Sequence, residues 1–538
     1  MKRSMVLFLI LSFSLLFGGS KAVVKGTLTD QDGNQFKQAN ILIYSLITNQ
    51  VVKNIPLKSK NYKVEIDKKG VYEIRYCAPF HLAQSVTVMV KDNLEETVNV
   101  KMVPFEKAEN FDQLAVVFKS EKFGDVNSVM HKETNGKYHA TFKSDEKRVD
   151  YQLLGVEAKG HSVNGTEGEF TGPDDAGDYF STLKPDKGVY NFTFDPSLLP
   201  APKGKREIKF LNENSVTAAL NKLKSKSDFY MEDYYKKMAV FVKAGNNRKD
   251  FKYDSKELEQ FFQKYINSED VEIQKVGLAF YLVSERILTN KNKEYRKKYF
   301  AMVKPESDLW SLTPFVFINN FGVEKDPELV KYYKEFFAKN KNKEVKAQRL
   351  SMEYAIAKYG GKKEEMKKIR KELKDKYSDS RSYQFFQKRY PENPAISVGK
   401  KLPQFEITDI TDETKTYTNE SFKGKVLLVD FWATWCGPCK GEMEHLHKAY
   451  EKFKDKGFEI LSLSFDRSPE NVTKYRAGKW KMPWCHSFVK GGFSNKMAND
   501  FEVVGIPKPI LVGKDGKIIE VDKLRGDNLL TTIEKHLK

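Results

Sequence analysis

Cysteine is scarce in this chain, because its 538 residues contain only Cys77, Cys436, Cys439 and Cys485. So few cysteines in so long a chain exclude a framework of structural disulfides. Long apolar runs are also missing, since no stretch after the N-terminal segment approaches the roughly 20 residues that a membrane-spanning helix needs. The sequence therefore predicts that the chain is not an integral membrane protein and that it uses cysteine for local chemistry.

Acidic residues are fewer than basic ones, 73 against 92, which gives a formal net charge of +19. A basic chain can bind nucleic acid. Here, however, the lysines are interspersed with acids, as in KKEEMKKIRKELKDK at 362–376, a pattern typical of a solvated helix face. We therefore predict no nucleic-acid partner.

The first 22 residues have the pattern of a secretory signal peptide. Lys2 and Arg3 give a basic start, an apolar run follows at 5–17, and the segment ends in Ser-Lys-Ala at Ala22. Small residues that follow a short apolar run mark a cleavage site, and the run is too short to span a bilayer. Residues 1–22 thus predict an exported protein.

Changes of hydrophobic period divide the rest of the chain into four predicted domains. Apolar residues alternate with period two over 23–104, which predicts a β-sandwich, and again in short strands over 105–203, which predicts a second β-rich domain. From 204 to 392 the period is helical and predicts an all-α domain. The segment 393–538 alternates strand and helix patterns and predicts an α/β domain.

One apolar spacing occurs twice in the predicted helical domain. The residues of 258–266 follow i, i+3, i+4, i+7, i+8, and those of 329–337 repeat this 71 positions later. Asp254 with Glu257 predicts a capping box before the first copy, and Asp326 predicts a cap for the second. Two copies fit both a short α-solenoid and an ordinary helical bundle, and either would serve as a spacer or docking surface.

The most informative stretch is KVLLVDFWATWCGPCKGE at 425–442. Its first half is apolar, β-branched and aromatic, as expected of a strand buried on both faces. A helix should follow, with Cys436 at its start, where unpaired N–H groups and the helix dipole stabilise a thiolate. Gly437 and Pro438 hold the first turn. Cys439 lies on the same helix face, so a disulfide between the two cysteines is feasible.

Thiol–disulfide exchange is the chemistry that this pair favours, with Cys436 attacking a substrate disulfide and Cys439 resolving the mixed disulfide. Half of a zinc site is one alternative, but Cys77 and Cys485 lie far apart in sequence and supply no second pair. A permanent structural disulfide is another, but a bond that closes so short a loop constrains the unfolded chain little. We expect no metal and no other cofactor.

At these residues the chain resembles a known family. VDFWATWCGPC resembles the active-site stretch of thioredoxin, while VGKKLPQFEITD at 398–409 and the residues CKGE resemble the TlpA/ResA-like thiol-disulfide oxidoreductases. The resemblance covers about the last 140 residues. It implies a thioredoxin-like fold and an enzyme of the bacterial periplasm that reduces protein disulfides and is recharged by a membrane thiol-disulfide electron donor.

Other functions remain open at this stage. The direction of electron flow could be reversed, which would make the chain a disulfide oxidase or isomerase. Alternatively, the β and helical domains could do the work of a binding or scaffold protein, with the redox pair auxiliary.

Two acids belong to the expected site. Asp430 ends a buried strand, where desolvation raises the pKa of a carboxyl. It matches the buried acid of thioredoxin, which implies that it accepts the proton of Cys439. The alternative is a hydrogen-bonded Asp at a strand end. Glu442 matches the active-site glutamate of the TlpA/ResA-like proteins, although a Glu in the first turns of a helix also suits the dipole.

The expected substrate-binding surface surrounds the cysteine pair. Ile506 and Pro507 resemble the cis-proline loop that faces the redox pair in the thioredoxin fold, which leaves Ile506 free to pair with an extended substrate. Trp432 and Trp435 are expected as apolar walls, with Trp435 the substrate contact. The predicted substrate-binding residues are Trp435, Gly437, Pro438, Ile506 and Pro507. Cys485 fits either a resolving partner or a packing residue.

Overall fold

The computed structural model of the chain describes residues 21–537, apart from 92, 112–113, 121–123, 244–245, 247, 314–325, 467 and 479. The chain separates into two compact units, of which the first ends at Arg381 and the second spans Ser382–Lys538. All but the last two residues of the predicted signal peptide lie outside the described residues. The predicted domain boundaries stay predictions.

The first β region is a two-sheet sandwich. Its strands are β1 (Ala22–Thr29), β2 (Asn40–Ser45), β3 (Gln50–Pro56), β4 (Asn61–Ile66), β5 (Gly70–Cys77), β6 (Gln84–Val90) and β7 (Leu94–Lys101). One sheet has the order β3-β2-β5-β6, and the other contains β7-β1-β4 with β1 and β7 parallel. Alternating side chains of both sheets share one core, which includes Val24, Ile41, Val64, Ile74 and Val88.

The second β region also has two sheets. Its strands are β8 (Ala115–Ser120), β9 (Gly124–Val129), β10 (His131–Lys132), β11 (Tyr138–Lys143), β12 (Val149–Leu154), β13 (Glu169–Pro173), β14 (Tyr179–Leu183) and β15 (Val189–Phe194). The sheet orders are β13-β14-β12-β8-β9 and β10-β11-β15. Aromatic side chains dominate its core, among them Phe118, Tyr151, Tyr190, Phe192 and Phe194.

The chain then returns to the first sandwich before any helix begins. Strand β16 (Glu207–Phe210) pairs antiparallel with β7, with Ile208 opposite Val100. Phe210 is buried in the first core. The opening of the predicted helical segment 204–392 is therefore a strand, because it covers the edge of β7 that would otherwise expose unpaired backbone groups.

A helical region follows, as the change of period predicted. Its helices are α1 (Val216–Lys243), α2 (Lys256–Ile266), α3 (Val271–Ser284), α4 (Glu294–Met302), α5 (Pro327–Lys339), α6 (Lys343–Tyr359), α7 (Lys363–Tyr377) and α8 (Arg381–Arg389). One shared core contains Leu258, Phe262, Trp310, Tyr333 and Phe336. Within the described part of the chain, no helix is both long enough and apolar enough to cross a membrane.

Both copies of the repeated spacing form helices, α2 and α5, with their apolar faces buried. The predicted cap before α5 is confirmed, since the Asp326 side chain accepts hydrogen bonds from the N–H groups of Glu328 and Leu329. The capping box before α2 is wrong: the N-cap is one residue later, and Asp254 instead accepts the N–H of Lys256 at 3.1 Å. An Asp two residues before an N–H forms a local turn that competes with a cap.

The second unit has a five-stranded sheet with helices. Its elements are β17 (Glu406–Thr408), β18 (Thr416–Thr418), β19 (Val426–Trp432), α9 (Gly437–Phe453), β20 (Phe458–Ser464), α10 (Pro469–Ala477), β21 (Cys485–Phe488), α11 (Lys496–Asp500), β22 (Lys508–Val512), β23 (Ile518–Glu520) and α12 (Asp527–Leu537). The sheet order is β21-β20-β19-β22-β23, with β17 and β18 as a separate hairpin. The multidomain fold class, with its thioredoxin-like C-terminal part, is confirmed.

Strand β19 organises this sheet. All of its residues are buried, and it runs parallel to β20 and antiparallel to β22. The carboxyl ends of β19, β20 and β21 and the start of β22 therefore meet at one edge of the sheet. This edge is where α/β sheets place their functional groups.

Candidate active site

Cys436 caps the helix that carries the cysteine pair. Its Sγ accepts the N–H of Cys439 at 3.1 Å, and its own N–H donates to the carbonyl of Ala433 at 3.1 Å. Pro438 lies in the first turn, where its missing N–H costs no hydrogen bond. Because N–H groups of the α9 start point at Cys436 Sγ, negative charge on that sulfur is stabilised.

The two cysteines are joined by a disulfide in this structure, with their Cα atoms 5.2 Å apart. Cys439 is only 1% exposed and lies beneath the helix start, whereas Gly437 and Pro438 are exposed beside Cys436. Cys436 is also buried, at 4% exposed, but it borders this exposed first turn. Cys439 lies on the inner side, towards the core.

Three hydrogen bonds connect the end of β19 and the loop that follows it with the residues just after β20. The N–H of Thr434 donates to one carboxylate oxygen of Asp466 at 3.0 Å, and its hydroxyl donates to the other at 2.5 Å. The N–H of Phe465 donates to the carbonyl of Trp432 at 2.8 Å. The end of β20 thus fixes the segment that presents Cys436. No sequence pattern marks this role of Thr434 and Asp466, which lie 32 residues apart.

The two tryptophans beside the site have different environments. Trp435 is 56% exposed, while Trp432 is completely buried and contacts the ring of Tyr475. The expectation of two apolar walls is therefore wrong for Trp432, because successive side chains of a strand point to opposite faces and β19 is covered on both. Trp435 remains as an apolar surface next to Cys436.

Asp430 is buried in the middle of the sheet, across from Ser462 on β20 and Pro509 on β22. Burial raises the pKa of its carboxyl to about 7, the positive charge of Arg525 lowers this pKa, and the negative charge of Glu442 raises it. A pKa raised towards neutrality suits a group that accepts and returns a proton.

Glu442 and Pro507 are held by two consecutive residues. The N–H of Gly526 donates to Glu442 Oε2 at 2.8 Å, and the Arg525 guanidinium donates to the carbonyl of Pro507. The Ile506–Pro507 peptide bond is cis, and Ile506 is half-buried. Since β22 begins right after Pro507 and pairs with β19, this loop lies at the same sheet edge as the cysteine pair.

Cys485 lies away from this edge. In the sheet register it is level with Leu461 on β20 and Val429 on β19. Tyr417, Tyr450 and Glu459 line the same small cavity as Cys485, and neither cysteine of the pair lines it. Burial, and secondarily the charge of Glu459, raises the pKa of its thiol. Both features favour packing over the role of a resolving partner.

Two other groups with possible chemistry are also buried. His486 is 2% exposed, and burial lowers its pKa to about 3, so that it is neutral at physiological pH. Cys77 is completely buried in the first unit and has no disulfide partner among the described residues. In the described ranges, no group of three or more His, Cys, Asp or Glu side chains is arranged to hold a metal ion.

Arg525 and Gly526 also escaped the sequence analysis. They follow β23 in the segment KLRGDN, almost ninety residues after the cysteine pair. An Arg-Gly pair before a helix carries no spacing signal of its own. Only the sequence position of Gly526, just ahead of a C-terminal helix pattern, marks a turn.

Known proteins match this part of the chain. The redoxin family model matches residues 397–531. The thiol-disulfide oxidoreductase ResA of Bacillus thuringiensis is 30% identical over 156 residues, which are 29% of this chain and 86% of the relative. The ResA of Oceanobacillus iheyensis is 38% identical over 148 residues, which are 27% of this chain and 74% of the relative.

A solved structure is also similar in sequence. The thioredoxin domain of a thiol-disulfide oxidoreductase from Bacteroides vulgatus is 34% identical, with a TM-score of 0.25, and the match covers 26% of this chain and 99% of that domain. The curated relatives and the family model cover the region that carries Cys436 and Cys439. Through this C-terminal region, the chain belongs to the ResA-like family of thioredoxin-fold thiol-disulfide oxidoreductases.

Proposed function

We propose that the protein is an exported reductase of protein disulfides that works through a dithiol of Cys436 and Cys439. The observation that carries this proposal is the position of the pair. Cys436 Sγ lies at the start of α9 with the N–H of Cys439 directed at it, and Cys439, which is 1% exposed, lies one turn further along the same helix, three residues before Glu442. An attacking thiol and a resolving thiol need these two environments.

The first step is attack on the substrate. The Cys436 thiolate forms a bond to one sulfur of a substrate disulfide, the substrate S–S bond breaks, and one substrate sulfur leaves as a thiolate that takes a proton from water. Exposed Trp435, Gly437 and Pro438, with Ile506 and Pro507 across the sheet edge, supply the surface for an extended segment of the substrate.

The second step releases the substrate. Cys439 gives its proton to Asp430, and the resulting thiolate attacks Cys436 Sγ, so that the mixed disulfide breaks and the second substrate thiolate leaves. The substrate gains two electrons, and the pair becomes the Cys436–Cys439 disulfide present in this structure. A dithiol donor at the membrane would return two electrons to the pair. Residues 1–22 support export to the compartment where such a donor faces protein disulfides.

The resolution step should depend on pH through Asp430. Its pKa is raised to about 7, so the carboxylate that accepts the proton is lost as pH falls below this value, and resolution should slow there and level off above it. Asp430→Asn should slow resolution at pH 7 on the order of 100-fold. The first attack by Cys436 should change much less.

Rapid mixing of the reduced protein with insulin, followed by tryptophan fluorescence, measures the two steps separately. Glu444→Gln removes a carboxylate from the exposed side of α9 and serves as the control. Wild-type protein without insulin reductase activity would contradict the proposed function. An unchanged resolution rate in Asp430→Asn would contradict only the role of Asp430.

A further inference from the structure

Two consecutive residues connect the two sides of the candidate site. Arg525 donates to the carbonyl of Pro507, the residue directly before β22. The N–H of Gly526 donates to Glu442 on α9 at 2.8 Å. Gly526 has φ +56°, a left-handed conformation that glycine adopts without steric cost. This turn lets neighbouring backbone and side-chain donors point to different elements. We name Arg525 and Gly526 the clamp.

The clamp also determines the charges around Asp430. Asp430 is enclosed by β20 and β22, which place the uncharged Ser462 and Pro509 opposite it. Among the described residues, the charges that act on it are Glu442 from α9 and Arg525 from the turn before α12. These two charges have opposite signs. The clamp contacts Glu442 through the N–H of Gly526, and Arg525 is itself part of the clamp.

We propose that Arg525 is a positioning residue for the resolution step: its guanidinium fixes the Pro507 loop against the substrate side and keeps a positive charge next to the buried Asp430 carboxyl. This inference rests on the proposed function. Arg525 itself contacts neither sulfur in this structure and acts through Asp430 and Pro507. Because a planar guanidinium can bond a carbonyl and still expose donors to a second group, lysine would replace the charge but not the geometry.

Three full-length variants separate the effect of the Arg525 charge on Asp430 from the effect of its hydrogen bond to Pro507. Arg525→Gln removes the charge, and Arg525→Lys keeps the charge with a different shape. Lys523→Gln removes an exposed charge two residues earlier, where no contact to Asp430 or Pro507 is made. For each variant, the resolution rate is measured from pH 5.5 to 9, and KM and kcat for insulin reduction are measured at pH 7.

Removing Arg525 should raise the pH midpoint of resolution. Loss of a neighbouring opposite charge raises the pKa of a carboxyl by about one unit or more, so Arg525→Gln should move the midpoint from about 7 to about 8 and slow resolution at pH 7 about fivefold. Arg525→Lys should keep the wild-type midpoint but raise KM, since the Pro507 carbonyl loses its partner. Lys523→Gln should match wild type in both measurements.

The double variant Asp430→Asn/Arg525→Gln should show no midpoint at all. An unchanged midpoint in Arg525→Gln, or an equal shift in Lys523→Gln, would overturn the inference while wild-type reductase activity leaves the proposed function standing. If Arg525→Gln does not fold, as judged by its thermal unfolding, Arg525→Lys decides: a shifted midpoint there would overturn the inference, and an unchanged midpoint with a raised KM would support it.

Discussion

Cys436→Ser is expected to reduce insulin disulfide reduction to the rate of the reaction without protein. A serine hydroxyl stays protonated at neutral pH and forms no disulfide, so neither the attack nor the mixed disulfide can occur. The substitution removes one sulfur from a helix cap that serine fills equally well, because Ser is a preferred N-cap residue. The loss should therefore be one of chemistry and not of folding, and thermal unfolding should confirm this.

Cys485→Ser is the matched control for this experiment. It removes a thiol from the same unit, but from a position on β21 that is level with the middle of β19, away from the sheet edge where α9 begins. This variant should keep most of the wild-type reductase rate. Equal loss in Cys436→Ser and Cys485→Ser would mean that Cys485 takes part in the exchange and that our assignment of the resolving thiol is wrong.

Cys439→Ser should convert the transient mixed disulfide between Cys436 and the substrate into a stable adduct. With the resolving thiol gone, the mixed disulfide between Cys436 and the substrate has no internal route to break, so the covalent adduct should become the main product of a single turnover. Non-reducing electrophoresis with mass spectrometry of the linked peptides measures it, and dithiothreitol should release the substrate. The same variant, expressed in its natural compartment, would identify the substrate.

The double variant Cys436→Ser/Cys439→Ser controls for adducts at other thiols. It should form no adduct, because Cys77 is buried and the pKa of the Cys485 thiol is raised by burial. An adduct that persists in the double variant, or one that maps to Cys485 in Cys439→Ser, would contradict the assignment of Cys436 as the attacking sulfur.

The sequence predicted the strand and helix around the cysteine pair well, because local patterns determine them. The mostly apolar first half of 425–442 forms β19, and α9 begins at Gly437 directly after Cys436, as predicted. Helix α6 also ends at a local signal, since Gly360 follows its last residue. A hydrophobic pattern within some twenty residues is sufficient to predict a helix or strand when one or both of its faces are buried.

Contacts between distant segments were not predictable in this way. Strand β16 pairs with β7 after more than one hundred residues, and nothing in the four residues Glu207–Phe210 indicates that partner. For the same reason, the sequence does not indicate the contacts of Thr434 with Asp466 and of Arg525 with Pro507, since each pair is brought together only by the sheet. Trp432 shows a related limit, because the sequence of a strand buried on both faces does not indicate whether its last residue borders the site or lies in the core.

The direction of electron flow is the central claim, and a redox titration of the full-length protein against glutathione tests it most directly. Strong oxidants stabilise the attacking thiolate far more than thioredoxin does, and their potentials lie near −120 mV against about −270 mV for thioredoxin. Here the N–H of Cys439 favours the Cys436 thiolate, while the site also contains the carboxyl groups of Glu442 and the buried Asp430, and negative charge near a thiol disfavours its thiolate. We predict a potential below roughly −220 mV, and a value above about −150 mV would contradict the assignment as a reductase and indicate a protein that makes disulfides.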